Sequence, residues 1–154
     1  MTLTYLTRKQ FRTIQPNPQY IAFTDLLNRK AYVKYHASTK TRLHESYHLK
    51  NSTMEDASWW DTWAVDELKA RGYASKMIGS DLTTSDIQAV TAHLIERARF
   101  RPNLATSIIE DALQQCGIYL TNELFSDIWW FARQYYKQSR NNSQPTVSGV
   151  AFRG

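Results

Sequence analysis

The sequence has little cysteine, glycine or proline and no long apolar run. A single cysteine, Cys116, excludes an internal disulfide. Five glycines and four prolines are too few for a turn-rich β-sandwich or barrel. The longest apolar run, Ile128–Ala132, is far below the ~20 residues that a membrane-spanning helix needs, and residues 1–11 show no apolar segment of a secretory signal. We therefore expect a cytoplasmic protein without a membrane partner.

The remaining composition is that of one folded domain with an uneven charge distribution. Hydrophobic residues make up 42% of the chain, and five Trp, nine Tyr and six Phe supply enough buriable surface to exclude wholesale disorder. Residues 1–50 carry nine basic and two acidic side chains, a balance of +7. Residues 51–96 carry three and eight, a balance of −5, and residues 97–154 carry seven and four, a balance of +3. The basic first third is typical of proteins that attract polyanions.

Strong helical signals begin at Thr53 and continue almost to the end of the chain. Four segments combine a capping residue, apolar residues at three- and four-residue spacing, and a glycine, a proline or basic residues at the end. The predicted helices begin after Thr53, after Thr83, at Asn103 and after Thr121, and they end near Gly72, before Pro102, at Gly117 and near Arg140. The short links favour antiparallel packing of consecutive helices.

The first fifty residues give weaker signals. The segment Thr7–Gln10 fits a capping box and predicts a short helix, which two following prolines interrupt. Two alternatives stay open for residues 19–36. Asn17 fits the N-cap of a second helix, whereas the alternation over Ala31–His36 fits a strand or an extended arm.

We therefore predict a mainly α protein in which a bundle of about four helices spans residues 53–140. Residues 1–52 form a basic, less regular N-terminal region of the same domain, which covers residues 1–140, and residues 141–154 form a flexible tail. The predicted core comprises Trp63, Leu68, Ile87, Leu94, Ile108, Leu113, Ile128 and Trp129.

Adjacent tryptophans cannot face the same side of a helix. One residue of Trp59 and Trp60, and one of Trp129 and Trp130, must therefore point away from the core. Such a side chain packs in a second layer or contacts a partner, so we expect a protein partner in a larger assembly.

The string His44-Glu45-Ser46-Tyr47-His48 matches the H-E-x-x-H pattern. On a helix this spacing places both imidazoles on one face, where they can share a zinc ion, and the glutamate can act as a general base. The five residues resemble the motif of the zincin metallopeptidases. The resemblance implies His44 and His48 as metal ligands and Glu45 as the base, and Glu67 lies at a gluzincin-like spacing beyond His48.

Other features of the sequence oppose a metal site. Arg42 and Lys50 flank the motif, whereas zincin helices are apolar around it, and no substrate-aligning sheet is apparent. The apolar stripe of its own helix explains the position of Glu67 without a metal. We therefore expect solvated histidines, no metal and no cofactor, with no catalytic residue elsewhere. Cys116 and His93 lie on or beside apolar stripes and fit structural positions.

Three arginines, Arg97, Arg99 and Arg101, cluster at the end of a predicted helix. They complement the helix dipole there, and they would also suit a phosphate backbone. The candidate nucleic-acid-binding residues are Arg8, Lys9, Arg12, Arg29, Lys30, Lys34, Arg97, Arg99 and Arg101.

These observations favour a non-enzymatic protein that binds RNA or DNA backbone without sequence preference, as a small subunit of a ribonucleoprotein or nucleoprotein complex. In size, charge and helicity the chain is similar to the helical small subunits of CRISPR effector complexes. The alternative is a phage-type inhibitor or adaptor that docks on another protein. A zinc metallopeptidase that uses residues 44–48 is the third hypothesis.

Overall fold

The fold combines a small N-terminal sheet with a bundle of helices. The computed structural model describes residues 3–18 and 20–141, which form three strands and six helices. In chain order these are β1 Leu3–Leu6, α1 Arg8–Ile14, β2 Ala22–Asp25, β3 Lys30–Lys34, α2 Thr39–Asn51, α3 Trp60–Met77, α4 Thr84–Glu96, α5 Pro102–Gln115 and α6 Asn122–Asn141. The mainly α prediction is confirmed. About four helices is too few, because α1 and α2 precede the predicted bundle.

The central strand of the sheet is β3. β1 pairs with it in parallel and β2 in antiparallel, so β2 is an edge strand of the described sheet. Successive strand residues point to opposite faces. Phe23 meets the ring of Phe11 on α1 with centroids 5.6 Å apart, whereas Thr24 donates a hydrogen bond of 3.1 Å to Glu45 on α2. The helices α1 and α2 therefore pack on opposite faces of the sheet.

Residues 22–34 form a hairpin and not the helix that Asn17 would cap. The helical alternative is wrong there, and of the strand or extended arm considered for Ala31–His36 the structure forms a strand, β3, over Lys30–Lys34. Asp25 closes the turn by accepting hydrogen bonds of 3.1 and 2.8 Å from the backbone and side chain of Asn28, and Arg29 adopts a φ of 53°. Pairing of β2 with β3 outweighs the local capping signal because it also buries one face of the hairpin.

Helix α3 begins later and ends later than the sequence predicts. The backbone and hydroxyl groups of Thr53 donate to the Asp56 carboxylate at 2.8 and 3.0 Å, which closes an isolated turn before the helix begins at Trp60. The helix then continues through Gly72. Buried residues on both sides of that glycine outweigh its ~1 kcal/mol helix penalty. The termination occurs at Gly79, which adopts a φ of +80°.

Helices α4 and α6 follow their capping signals closely, whereas α5 begins before the predicted start at Asn103, with Arg101 as its N-cap residue. Thr83 and Asp86 form the predicted capping box of α4, and the Thr121 hydroxyl accepts a hydrogen bond of 3.0 Å from the Leu124 backbone at the start of α6. Pro102 is the first residue of α5 and does not itself stop α4, which ends at Glu96. The predicted tail lies outside the described residues except for its first residue, which ends α6.

The main core lies between α3, α4, α5 and α6. Trp63 is only partly buried against it, and Trp129 is half-buried outside it, beneath the guanidinium of Arg133. Trp59 is 72% exposed and Trp130 is 65% exposed, which confirms that one tryptophan of each adjacent pair points outward. The predicted core residues that are buried are Leu68, Ile87, Leu94, Ile108, Leu113 and Ile128.

None of the described helices is both long and apolar enough to cross a bilayer.

We expect Leu113→Ala to lower the free energy of unfolding by ~2–5 kcal/mol, because this fully buried side chain would leave a cavity in the bundle. Urea denaturation followed by circular dichroism measures the change. Leu104→Ala on the same helix is the control, since Leu104 is 49% exposed and its truncation should cost less than ~0.5 kcal/mol. Equal losses from the two variants would contradict the described core.

Candidate metal centre

Helix α2 lies between the sheet and α3, and its buried face carries polar side chains. Its first turn is capped by the Ser38 hydroxyl, which accepts a hydrogen bond of 3.1 Å from the Thr41 backbone. His44, Glu45 and His48 are each less than 8% exposed. The expectation of solvated histidines is therefore wrong. The flanking basic residues do not prevent burial, because they occupy other faces of the helix.

Three potential metal ligands converge between α2 and α3. The Nε2 atoms of His44 and His48 lie 2.9 Å apart. The Glu67 carboxylate reaches both, with one oxygen 3.1 Å from His44 Nε2 and the other 2.8 Å from His48 Nε2. One ligand atom from each residue falls within a mutual distance of 4.8 Å. Glu67, which lies at the gluzincin-like spacing in the sequence, is therefore adjacent to both histidines in the fold.

The distances are compatible with a tetrahedral ion. Zinc bonds of about 2.0–2.1 Å to nitrogen and oxygen place neighbouring ligand atoms about 3.3 Å apart. The separations of 2.8 to 3.1 Å among the three side chains are a few tenths of an ångström shorter. A small outward movement of these side chains would admit the ion.

A second set of polar groups orients His48. Its Nδ1 atom lies 2.8 Å from the Ser52 hydroxyl and 3.0 Å from the Asp66 carboxylate, and that hydroxyl donates to Asp66 at 2.7 Å. Ser52 is completely buried. A carboxylate on the remote nitrogen of a metal-binding histidine fixes its ring and raises its basicity, so Asp66 occupies the position of such a partner.

The surrounding carboxylates favour a positive charge on His48. Burial opposes protonation of His48, but the charge of Glu67 and the hydrogen bonds to Asp66 and Glu67 outweigh burial and raise the pKa of His48 to about 11. Burial also opposes ionisation of Glu67, yet His44 and His48 hold the pKa of that carboxyl well below its usual range. The same negative field attracts a divalent cation, which competes with the proton for imidazole nitrogen.

A cavity of about 300 Å³ opens beside these ligands. His48, Glu67 and Glu45 line one wall, so two of the three ligands and the glutamate of the motif face the same space. Glu45 accepts a hydrogen bond from the Thr24 hydroxyl, which positions its carboxylate at the edge of β2. The cavity can therefore admit a substrate to both the ligands and this carboxylate.

Helices α3 and α4 supply further lining residues of this cavity. His93 lines it and packs against the indole of Trp63, with ring centroids 4.4 Å apart. Burial, together with the charges of Arg97 and Arg71, lowers the pKa of His93 to about 4. The neutral form of the His93 ring is therefore favoured near pH 7.

The basic residues predicted to bind nucleic acid occupy several places. Arg8, Arg12 and Lys34 line one cavity beside α1, whereas Lys9 is exposed on the same helix outside that lining. The Arg29 guanidinium donates to the backbone carbonyls of Leu49 and Ser52 at 2.8 and 2.6 Å and so caps the end of α2.

The remaining basic candidates lie at element ends. Lys30 is exposed at the start of β3. Arg97 donates to the Tyr20 hydroxyl at 2.6 Å and lies over the same ring. Arg99 adopts a φ of 62°, and Arg101 is the N-cap residue of α5, and both are exposed.

Sequence reasoning did not identify Asp66, Ser52 or Thr24 as parts of this centre. Asp66 carried a usable signal, because it directly precedes the acid at the gluzincin-like spacing. The two hydroxyl residues carried none. Their roles depend on the distance between α2 and its neighbours, which no local pattern specifies.

Comparison of the chain with protein-family models, with curated proteins and with solved structures finds no match in any of the three. The functional argument therefore rests on the geometry of the described residues.

Proposed function

We propose that this protein is a zinc-dependent hydrolase of the zincin type that cleaves peptide bonds. The observation that carries the proposal is the convergence of His44, His48 and Glu67, whose ligand atoms meet within 4.8 Å beside a cavity. This geometry favours the third sequence hypothesis over a protein without enzymatic activity. The ranking of the hypotheses changes because Glu67 lies beside the histidine pair and because a sheet packs against α2.

The ligand number supports a catalytic role for the ion. Structural zinc sites are closed by four protein ligands, whereas catalytic sites use three and leave one position open. Among the described residues, the potential ligand group contains three members. Two of these members, His48 and Glu67, line the cavity, so an ion held by the group would be accessible to substrate from that side.

Each residue then has a defined task. His44, His48 and Glu67 would hold the zinc ion, and Asp66 would fix the ring of His48 through Nδ1. The ion supplies a Lewis acid that polarises a carbonyl group and lowers the pKa of water. Glu45 accepts the proton from the attacking water and passes it to the leaving amine.

The edge strand supports an extended peptide as substrate. Consecutive residues Ala22, Phe23 and Thr24 line the cavity, and β2 pairs on only one side within the described sheet. An extended peptide can add to such an edge through main-chain hydrogen bonds. A backbone aligned along β2 would present its carbonyl groups to Glu45 and the metal ligands.

Zinc content tests the proposal directly. Protein equilibrated with zinc and then freed of unbound metal should retain one ion per chain by elemental mass spectrometry. We expect the double variant His44→Ala, His48→Ala to lose the ion, because two of three ligands are removed.

The control for zinc content is His36→Ala, which removes an exposed histidine outside the centre and should leave it unchanged. Glu67→Gln provides a second, more conservative ligand variant if the double variant misfolds. Absence of zinc from the folded wild-type protein, or equal zinc in wild type and in both ligand variants, would refute the metal centre.

A further inference from the structure

A second cavity, of about 340 Å³, lies beside α1 and is strongly basic. Its lining includes Arg8 and Arg12 from α1, Lys34 from β3 and the neighbouring His36. The described residues that line it include no carboxylate. Two guanidinium groups and one lysine amine therefore border one space that can accept a ligand.

Lys34 is the most constrained of these cations. Its side chain is only 9% exposed, and its ammonium group lies 5.1 Å from the centroid of the Phe11 ring. The same Nζ atom donates to the Pro18 carbonyl at 3.4 Å. These contacts hold a buried charge at a fixed point, which pre-organises one side of the cavity.

Arg8 and Arg12 are four residues apart on α1, and both are exposed. Like charges at this spacing repel each other and destabilise an isolated helix. An anion bound between the two guanidinium groups would offset this repulsion. Guanidinium groups match the oxygen geometry of phosphate and bind it through paired hydrogen bonds.

We propose that this basic cavity binds a phosphate group. The site is distinct from the metal centre, because no residue that lines the basic cavity also lines the cavity beside the metal ligands. The phosphate belongs either to a small phosphorylated ligand or to a nucleic-acid backbone. The second source would connect the cavity to the excess positive charge of residues 1–50.

Two probes measured at low ionic strength distinguish these sources. The first is inorganic phosphate, and the second is a short single-stranded oligonucleotide without a terminal phosphate. We expect the double variant Arg8→Gln, Arg12→Gln to weaken binding of the recognised probe by about tenfold or more, because two charge-assisted contacts are lost. Isothermal titration calorimetry measures both probes.

Lys9→Gln is the matched control, because Lys9 lies on the same helix outside the cavity lining. It should change affinity by less than about twofold. If the oligonucleotide binds, and its affinity falls with salt and in the double variant, the ligand is a nucleic-acid backbone. If only inorganic phosphate binds, and its affinity falls in the double variant, the ligand is a small phosphorylated molecule. Failure of both probes to bind, or binding equal in the double variant and wild type, overturns the proposal.

Discussion

Glu45→Gln is expected to lower the rate of peptide hydrolysis by about 10²–10⁴-fold while the zinc content remains that of the wild type. Glu45 is not among the converging metal ligands, yet its carboxylate lines the same cavity. The amide retains the shape of the side chain and its acceptor for the Thr24 hydroxyl, but it cannot take a proton from water. Hydrolysis of a mixed peptide library by the zinc-loaded protein, followed by mass spectrometry, measures the rate.

The matched control for this loss is Glu55→Gln, since Glu55 is an exposed glutamate in the segment between α2 and α3. Its substitution should leave both hydrolysis and zinc content unchanged. Equal activity of Glu45→Gln and wild type would eliminate the assigned base. Loss of zinc together with activity would instead show that Glu45 acts through the metal ligands.

Asp86→Ala is expected to lower the free energy of unfolding by ~3–5 kcal/mol, because it breaks a buried ionic cluster. Asp86 is 2% exposed, and its carboxylate accepts hydrogen bonds from Lys40 at 2.9 Å and from Arg71 at 3.1 Å. It also caps α4 through the backbone and hydroxyl of Thr83. One side chain thus connects α2, α3 and α4, so its removal affects three helices at once.

Chemical denaturation at pH 7 measures the effect, and Asp81→Ala serves as the control because Asp81 is exposed. Its truncation should change stability by less than ~0.5 kcal/mol. Comparable stability of Asp86→Ala and wild type would contradict the tie between the three helices.

The contribution of Asp86 should also depend on pH in a definite direction. Burial opposes its ionisation, but hydrogen bonds from Lys40 and Thr83 outweigh burial and lower the pKa of this carboxyl. A lowered native pKa adds stability that is fully present above the unfolded value and is lost as the pH falls through the native value. The stability difference between wild type and Asp86→Ala should therefore shrink below about pH 4. A difference that grows in acid would be inconsistent with this assignment.

The helical bundle is largely predictable from the sequence because its signals are local. The capping box of Thr83 and Asp86, the glycine at 117 and the apolar spacing from Ile87 to Leu94 each act within a few residues. The hairpin is not predictable in the same way. Its strands are four and five residues long, and their stability comes from pairing with each other and from packing between α1 and α2.

Only part of the candidate site could be predicted from the sequence. The spacing of His44 and His48 indicates a shared helix face, but hydrophobic periodicity predicts that a polar face is solvated. On α2 the rule fails, because the polar face is buried and its groups bond to one another and to α3. Whether Glu67 faces α2 depends on the crossing of two helices, which the spacing alone does not determine.

The three potential ligands also have a consequence for folding, since all of them fall between residues 44 and 67 of the chain. Closing a loop of this length carries a modest entropic penalty, which rises only slowly with length. The parallel pairing of β1 with β3, in contrast, joins residues such as Leu3 and Ala31 through a crossover. We expect the α2–α3 hairpin to form early in folding and to present an assembled ligand set before the sheet is complete. Zinc added during refolding should therefore accelerate formation of this hairpin, and not only stabilise the finished fold.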